Sequence, residues 1–308
     1  MSHILQMSGI IFDLIYRIEE MPMSGSEAIV NSFDMMPGGG FNAMVAAKRA
    51  GADVSYGGAI GTGPFAYMTI DALKAEEITC LRPRDKLRDQ GCCTVIIDKK
   101  GERTFLASEG ADGYASSVEL CKINTNHFDW LLLSGYALYY KGSRQVISDW
   151  LMKNTASINL IFDPSPVVES IPEDILANVS AKATWISANA NEASIMTGLS
   201  DPEKSAKALA KNRPLNGGAI VRDGDNGCFV AHNDSIQHIP AYRVSPVDTN
   251  GAGDTHLGSF IARLAQGHSL IDAATYANIA AALSTTLHGP ATAPNEAEVL
   301  AIQNLQRK

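Results

Sequence analysis

The sequence predicts an α/β domain, a mostly parallel sheet with helices on both faces and a small antiparallel β lid. Three observations carry this. Short continuous apolar runs end in Gly, Asp or Asn, as in Trp130-Leu131-Leu132-Leu133-Ser134-Gly135 and Asn159-Leu160-Ile161-Phe162-Asp163-Pro164. Such runs suit strands buried on both faces. Helical patterns fill the gaps between them, including residues 143–153 and 201–211, and strand–helix alternation is the signature of a parallel sheet. A hairpin pattern then interrupts the alternation: Thr94-Val95-Ile96-Ile97-Asp98 and Arg103-Thr104-Phe105-Leu106-Ala107 flank Lys99-Lys100-Gly101-Glu102.

The elements follow in order. Residues 4–13 read as a strand followed by a turn, with Asp13 near its end. Pro37-Gly38-Gly39-Gly40-Phe41-Asn42 reads as a glycine-rich turn, leading into a helix over 43–50 that Gly51 stops. A strand resumes over 54–61. After the hairpin come buried strands at 130–135, 159–164, 184–187 and 219–222. Residues 228–232 and 236–240 form a second hairpin pattern across Asn233-Asp234-Ser235. Next is Val247-Asp248-Thr249-Asn250-Gly251-Ala252-Gly253-Asp254, a glycine-alternating turn that enters a helix ending near Gly267. An Ala-rich helix over 269–287 and a last helix over 295–305 complete the chain. With no repeat, low-complexity linker or sharp composition boundary, one domain is expected.

Composition narrows the function. The 308 residues are 45% apolar, enough for a large core. Acidic residues number 33 against 25 basic, a formal charge of −8, and no basic block occurs, so neither nucleic acid nor an anionic membrane is an expected partner. No apolar run is long enough to span a bilayer, and residues 1–7 lack the pattern of a leader, which reads as a cytoplasmic protein. The five cysteines are irregularly spaced, against both a disulfide framework and a Cys-x-x-Cys zinc site.

The richest motif is Asp248 to Asp254. Glycines let backbone approach a ligand, and the first N–H groups of the following helix make an anion site. An aspartate repels phosphate, so Asp254 makes sense there as a base taking a proton from an attacking alcohol. Taken alone, Gly-x-Gly-Asp more often does no more than start a helix. A dinucleotide fingerprint fails on spacing, since the next glycine is Gly258, and a P-loop fails because the chain has no Gly-Lys dipeptide. The Gly38-Gly39-Gly40 turn with Asn42 fits either a plain turn or a polar-ligand site, and Asp13 fits either a cap or a hydroxyl acceptor.

An early Asp, a Gly-Gly-Gly-x-Asn turn, a hairpin lid and a late Asp-Thr-x-Gly-Ala-Gly-Asp, in this order, resemble the ribokinase or PfkB family of carbohydrate kinases. The likeness covers essentially the whole chain, with Asn189-Ala190-Asn191-Glu192 and Val221-Arg222-Asp223-Gly224-Asp225-Asn226-Gly227 between the two signatures. It implies a ribokinase-like, three-layer, Rossmann-like fold as one domain over 1–308, its lid contributed by about 12–34 and 90–110. It also implies transfer of the ATP γ-phosphoryl group to a primary hydroxyl of a sugar, with a nucleoside kinase, a phosphosugar kinase or a non-catalytic sensor as alternatives.

The roles follow from the resemblance. Asp254 is the base and Gly251, Ala252 and Gly253 the anion hole. Asp13, Gly39, Gly40 and Asn42 bind the acceptor. Asn189, Arg222, Gly224, Gly227 and Asn278 serve the nucleotide, and Glu192 organises Mg²⁺ through water. Asp248 and Asn250 stand where some relatives bind a monovalent cation, which implies K⁺ activation. A homodimer through the lid is expected. Pro37, Gly39, Arg222, His256 and Ser259 depart from the ribokinase pattern, which speaks against assuming ribose.

Overall fold

The computed structural model describes residues 2–154 and 158–306. In chain order the strands are β1 (His3–Gln6), β2 (Ile10–Ile18), β3 (Val30–Gly39), β4 (Asp53–Tyr56), β5 (Thr79–Cys80), β6 (Cys92–Ile97) and β7 (Arg103–Ser108). They continue with β8 (Trp130–Ser134), β9 (Asn159–Asp163), β10 (Trp185–Asn189), β11 (Gly218–Arg222), β12 (Cys228–His232) and β13 (Ser235–Ile239). The helices are α1 (Gly40–Arg49), α2 (Pro64–Ala75), α3 (Ser117–Leu120), α4 (Tyr136–Tyr139), α5 (Arg144–Asn154) and α6 (Glu173–Lys182). After them come α7 (Ala190–Thr197), α8 (Pro202–Ala210), α9 (Ala252–Ala265), α10 (Leu270–Ser284) and α11 (Glu296–Gln306).

The larger sheet has the order β13-β12-β11-β10-β9-β8-β1-β4-β5, parallel except that β12 runs antiparallel to both β11 and β13. Because side chains alternate across a strand, each apolar run feeds two cores. Trp130 and Leu132 pack on one face with Ile4, Ile161 and Ile220. Leu131 and Leu133 pack on the other with Leu5, Phe162 and Val221. Helices α1, α9 and α10 supply Met44, Phe260 and Tyr276 to the first core, and α5, α6 and α8 supply Trp150, Val179 and Leu209 to the second. Helices therefore cover both faces, as expected of an α/β fold.

The smaller sheet has the order β3-β2-β6-β7. The expected hairpin is its β6–β7 half, antiparallel from Cys92 opposite Ser108 to Ile97 opposite Arg103. The sheet is mixed, not purely antiparallel, because β2 and β6 run parallel. Two local expectations are also corrected. Asp13 lies in the middle of β2, opposite Met36 and Cys93, not near a strand end. The segment read as a glycine-rich turn closes β3 through Gly39, and the bend is confined to Gly39 itself, at φ 60°, with α1 beginning at Gly40 without an intervening loop. The pairing of β2 with β3 holds residues 30–38 extended, a constraint that no local pattern there announces.

Candidate active site

Four neighbouring strands of the larger sheet end in polar residues at one edge: β8 on Ser134, β9 on Asp163, β10 on Asn189 and β11 on Arg222. Register sets Ser134 beside Asp163 and Asn189 beside Arg222. The carboxyl edge of parallel strands is where open α/β sheets bind ligands. A cavity of about 930 Å³ covers this edge, with the small sheet, α1 and the start of α9 among its walls.

At the start of α9 no side chain caps the helix, and Gly251, Ala252 and Gly253 line the cavity; the Ala252 N–H is donated to the Thr249 carbonyl at 3.4 Å, and first-turn N–H groups left without a partner are the kind that can serve an anion. Gly251 precedes it with φ 74°, and a Cβ there would lie 2.0 Å from the Pro290 carbonyl oxygen, so only glycine fits. Gly253 differs. A Cβ on it would meet nothing nearer than the Arg222 guanidinium carbon at 3.7 Å, leaving free space on the cavity side.

Asp254 is the third residue of α9, and its Oδ2 accepts a hydrogen bond from Asn42 Nδ2 at 2.9 Å. The reason Asn42 reaches it is the crossing of α1 and α9. Gly258, one turn beyond Asp254, packs so close to Ala43 that a Cβ would lie 2.1 Å from the Ala43 carbonyl oxygen. Burial pushes the Asp254 carboxyl up to about 6, with Asp163 adding to the rise and Asn42 and Arg222 opposing it.

The Asn42 Oδ1 atom is buried without a partner. Asp13 faces the same cavity from a row of apolar neighbours, among them Ile11, Cys93 and Val95. Burial, and then repulsion from Asp254, raise its carboxyl to about 7. Gly39 and Gly40 line the cavity too, but the Gly40 N–H is already donated to the Gly9 carbonyl at 2.9 Å.

Arg222 occupies the centre of the polar edge. Its Nη2 donates to Asp163 Oδ2 at 3.0 Å and Glu192 Oε2 at 3.5 Å, and its Nη1 to the Gly253 carbonyl and Ser187 Oγ, each at 3.2 Å. Glu192 and Asn189 form a capping box at the start of α7. The Asn189 N–H and Nδ2 donate to the two Glu192 carboxylate oxygens, both at 2.8 Å. Burial, then Asp163, raises the Glu192 carboxyl despite the pull of Arg222. One guanidinium thus faces Asp163, Glu192 and Asp254. That surplus of negative charge fits a hydrated divalent cation, which is held through its water shell and phosphate oxygens and needs no all-protein cage. Among the described residues, no cluster of three or more His, Cys, Asp or Glu makes such a cage.

The remaining expected residues divide. Gly224 and Gly227 line the cavity beside Arg222. Asn278 lines it as well, yet its amide is spent inside the fold: Nδ2 donates to the Ile239 and Pro240 carbonyls at 3.0 Å, and Oδ1 accepts from His256 Nε2 at 3.1 Å. Burial lowers His256 to about 3, so its ring is neutral and serves as that donor. Asn278 therefore shapes a wall and offers a ligand no free polar atom. Asn250 lines the cavity, whereas Asp248 does not. The Asp248 Oδ1 accepts from Arg103 Nη2 at 2.8 Å and the Asn250 N–H at 2.9 Å, and Oδ2 from the Gly289 N–H at 3.1 Å. Burial alone would raise this carboxyl; the two N–H groups and Arg103 hold it below its ordinary range. The expected monovalent-cation ligand is thus already ion-paired.

Sequence reasoning missed Asp163. Its signal was present, a carboxylate closing an apolar strand, but it became meaningful only when β9 was set beside β10 and β11.

Residues 2–298 match the family model described as pfkB family carbohydrate kinase. The uncharacterized sugar kinase YegV of Escherichia coli is 27% identical over 300 residues, covering 96% of this chain and 92% of that protein. Ribokinase of Bacillus subtilis is 26% identical over 293 residues, covering 94% of each. The crystal structure of ribokinase from Thermotoga maritima superposes with a TM-score of 0.84 at 22% identity, covering 99% of this chain and 100% of the other, a likeness of fold.

Proposed function

The chain belongs to the pfkB family of carbohydrate kinases, and from that premise we propose that it transfers the γ-phosphoryl group of ATP to a primary hydroxyl of an uncharged sugar. The observation that carries this is the Asn42–Asp254 hydrogen bond, which joins an acceptor-side amide to a carboxylate inside the anion site. Asp254 takes the hydroxyl proton as the oxygen attacks. The α9 N–H groups stabilise charge on the moving phosphoryl group, and the helix dipole adds to them. Asn42 Oδ1 and Asp13 orient the acceptor hydroxyls. Glu192 and Asp163 would hold a hydrated Mg²⁺ through its waters, and the ion would supply charge neutralisation across the phosphates. Arg222 holds Gly253 against these carboxylates, and Gly224 and Gly227 border the nucleotide side.

Charge supports a neutral acceptor over a phosphosugar. The Lys and Arg side chains lining the cavity are Arg222 and Arg243, and neither comes from the small sheet or α1. Arg17 pairs with Asp34, Arg103 with Asp248, and Arg144 donates to the Tyr139 carbonyl. Phe105 and Tyr136 do line the acceptor side, so nucleosides belong in the test. With Asp248 ion-paired to Arg103, no potassium requirement is proposed. The exposed edge strands β3 and β7, with Val30, Phe33, Met35 and Leu106 open to solvent, support a homodimer that pairs the small sheets.

The test is ADP release across pentoses, hexoses, nucleosides and phosphosugars. Acceptor-dependent release with a neutral sugar is expected. Asp254→Asn should lower turnover roughly 10²–10⁴-fold while ATP still binds. Near-wild-type turnover in that variant would remove the base assignment, and no release with any acceptor would favour a binding protein on this fold.

A further inference from the structure

We propose that Arg103 is a positioning residue for phosphoryl transfer: by pairing with Asp248, it ties the tip of the lid to the loop that carries the anion hole. Its kinetic role rests on the kinase reading above; the tie itself does not.

The β6–β7 hairpin is rooted where Cys92 faces Ser108, and Arg103 stands at its far end opposite Ile97. At about 3.4 Å per residue, the five steps from Ser108 carry Arg103 roughly 17 Å from the root. Alternate residues of a strand share a face, so Arg103, Phe105 and Ala107 form one row. Phe105 and Ala107 line the cavity, and Arg103 continues that row to the mouth. There its Nη2 meets Asp248 Oδ1 at 2.8 Å. Among the described residues this is the ion pair joining the small sheet to the rest of the protein; Arg17–Asp34 and the Lys99 pairs with Glu19 and Glu20 stay within the sheet and its β2–β3 connection.

The carboxylate that Arg103 meets organises the anion hole. Through the Asn250 N–H it shapes the turn into Gly251, and through the Gly289 N–H it holds the strand of loop on which Gly251 packs at Pro290. One side chain therefore fastens three segments: lid tip, phosphate loop and the 289–290 loop. With Arg103 in place, the Asp248 side chain is 9% exposed. Lifting the lid would leave it without its cation close to the phosphate site, an unpaired carboxylate beside the negative charge of the phosphates. Lowering the lid neutralises it and steadies the N–H donors. Closure over the acceptor and stabilisation of the phosphoryl group become one event, which disfavours transfer to water. By linkage, ATP on the loop should favour the closed lid and tighten the acceptor.

Arg103→Ala, Arg103→Lys, Asp248→Asn and the Arg103→Ala/Asp248→Asn double variant test this. Arg103→Ala should lower kcat about tenfold, within the range of couplings between packed elements. KM for ATP should stay within about twofold, KM for the acceptor should rise, and more ADP should appear without phosphorylated acceptor. Arg103→Lys should restore most of the loss. The double variant should be no worse than Asp248→Asn, since both remove one interaction. A merely structural arginine would leave the ratio of ADP to phosphorylated acceptor unchanged, and additive losses would overturn the pairing. Hydrogen exchange on the ligand-free proteins decides the tie apart from catalysis: Arg103→Ala should speed exchange in both 92–108 and 247–251. Faster exchange in 92–108 alone would refute it. If the wild type phosphorylates no acceptor, the kinase reading and the kinetic role of Arg103 fall together, while the exchange result still keeps or removes the tie.

Discussion

Replacing Asp13 with Asn should stabilise the ligand-free protein above neutral pH while abolishing productive acceptor binding. Asp13 is 8% exposed and stands among apolar side chains in the middle of β2. Its carboxyl is raised from 3.8 to about 7, by burial first and by Asp254 second. Each pKa unit is worth about 1.4 kcal/mol, so a shift of about three units makes the ionised side chain cost the fold about 4 kcal/mol at pH 8. The amide of Asn is uncharged but adds a buried donor, which offsets about 1–3 kcal/mol of that.

A net gain of about 1–3 kcal/mol is therefore expected at pH 8. The sign with pH follows from the raised folded-state value. Below 3.8 the group is protonated in both folded and unfolded chains, and wild type carries no penalty. The penalty grows as pH rises from 3.8 to about 7 and is complete above that. Urea unfolding of both proteins at steps between about pH 5 and 8.5 should show the advantage of the variant widening with pH, then levelling. A difference that does not change with pH would refute the reasoning, because a packing effect has no such dependence. The same variant should bind ATP and lose acceptor-dependent turnover.

Gly253→Ala separates fold from function at the anion site. A Cβ there meets no close protein atom, and alanine favours a helix over glycine by roughly 0.5–1 kcal/mol, so melting temperature should hold or rise slightly. Turnover should nonetheless fall by at least about tenfold, as expected when an anion-hole donor is obstructed; unchanged turnover would mean that the phosphoryl group does not sit against Gly253. For the small-sheet dimer, Phe33→Glu with Met35→Lys places charge on exposed β3 and should give monomers in sedimentation velocity. A wild type that already sediments as a monomer would remove that proposal.

The strands and the order of motifs were legible because they are written locally. An apolar run such as Trp130-Leu131-Leu132-Leu133 specifies a strand buried on both faces whatever its neighbours are. The Asp248–Asp254 turn likewise announces a helix start through its glycines, and α9 begins at Ala252. Strand β3 was illegible because its residues are mostly exposed and carry no clean alternation; pairing with β2 holds it extended. That the Asn278 amide bonds Ile239, Pro240 and His256 was illegible as well, because those partners lie outside its own helix.

Sequence alone thus determined the α/β class and the resemblance to carbohydrate kinases, and it singled out the motif that ends on Asp254, since each depends on short-range pattern. Only the tertiary structure decided that Asn42 meets Asp254, that Arg222 stands among Asp163, Glu192 and Gly253, and that Arg103 closes on Asp248. Those meetings depend on strand order and on how closely α1 crosses α9, and the packing that sets them is long-range.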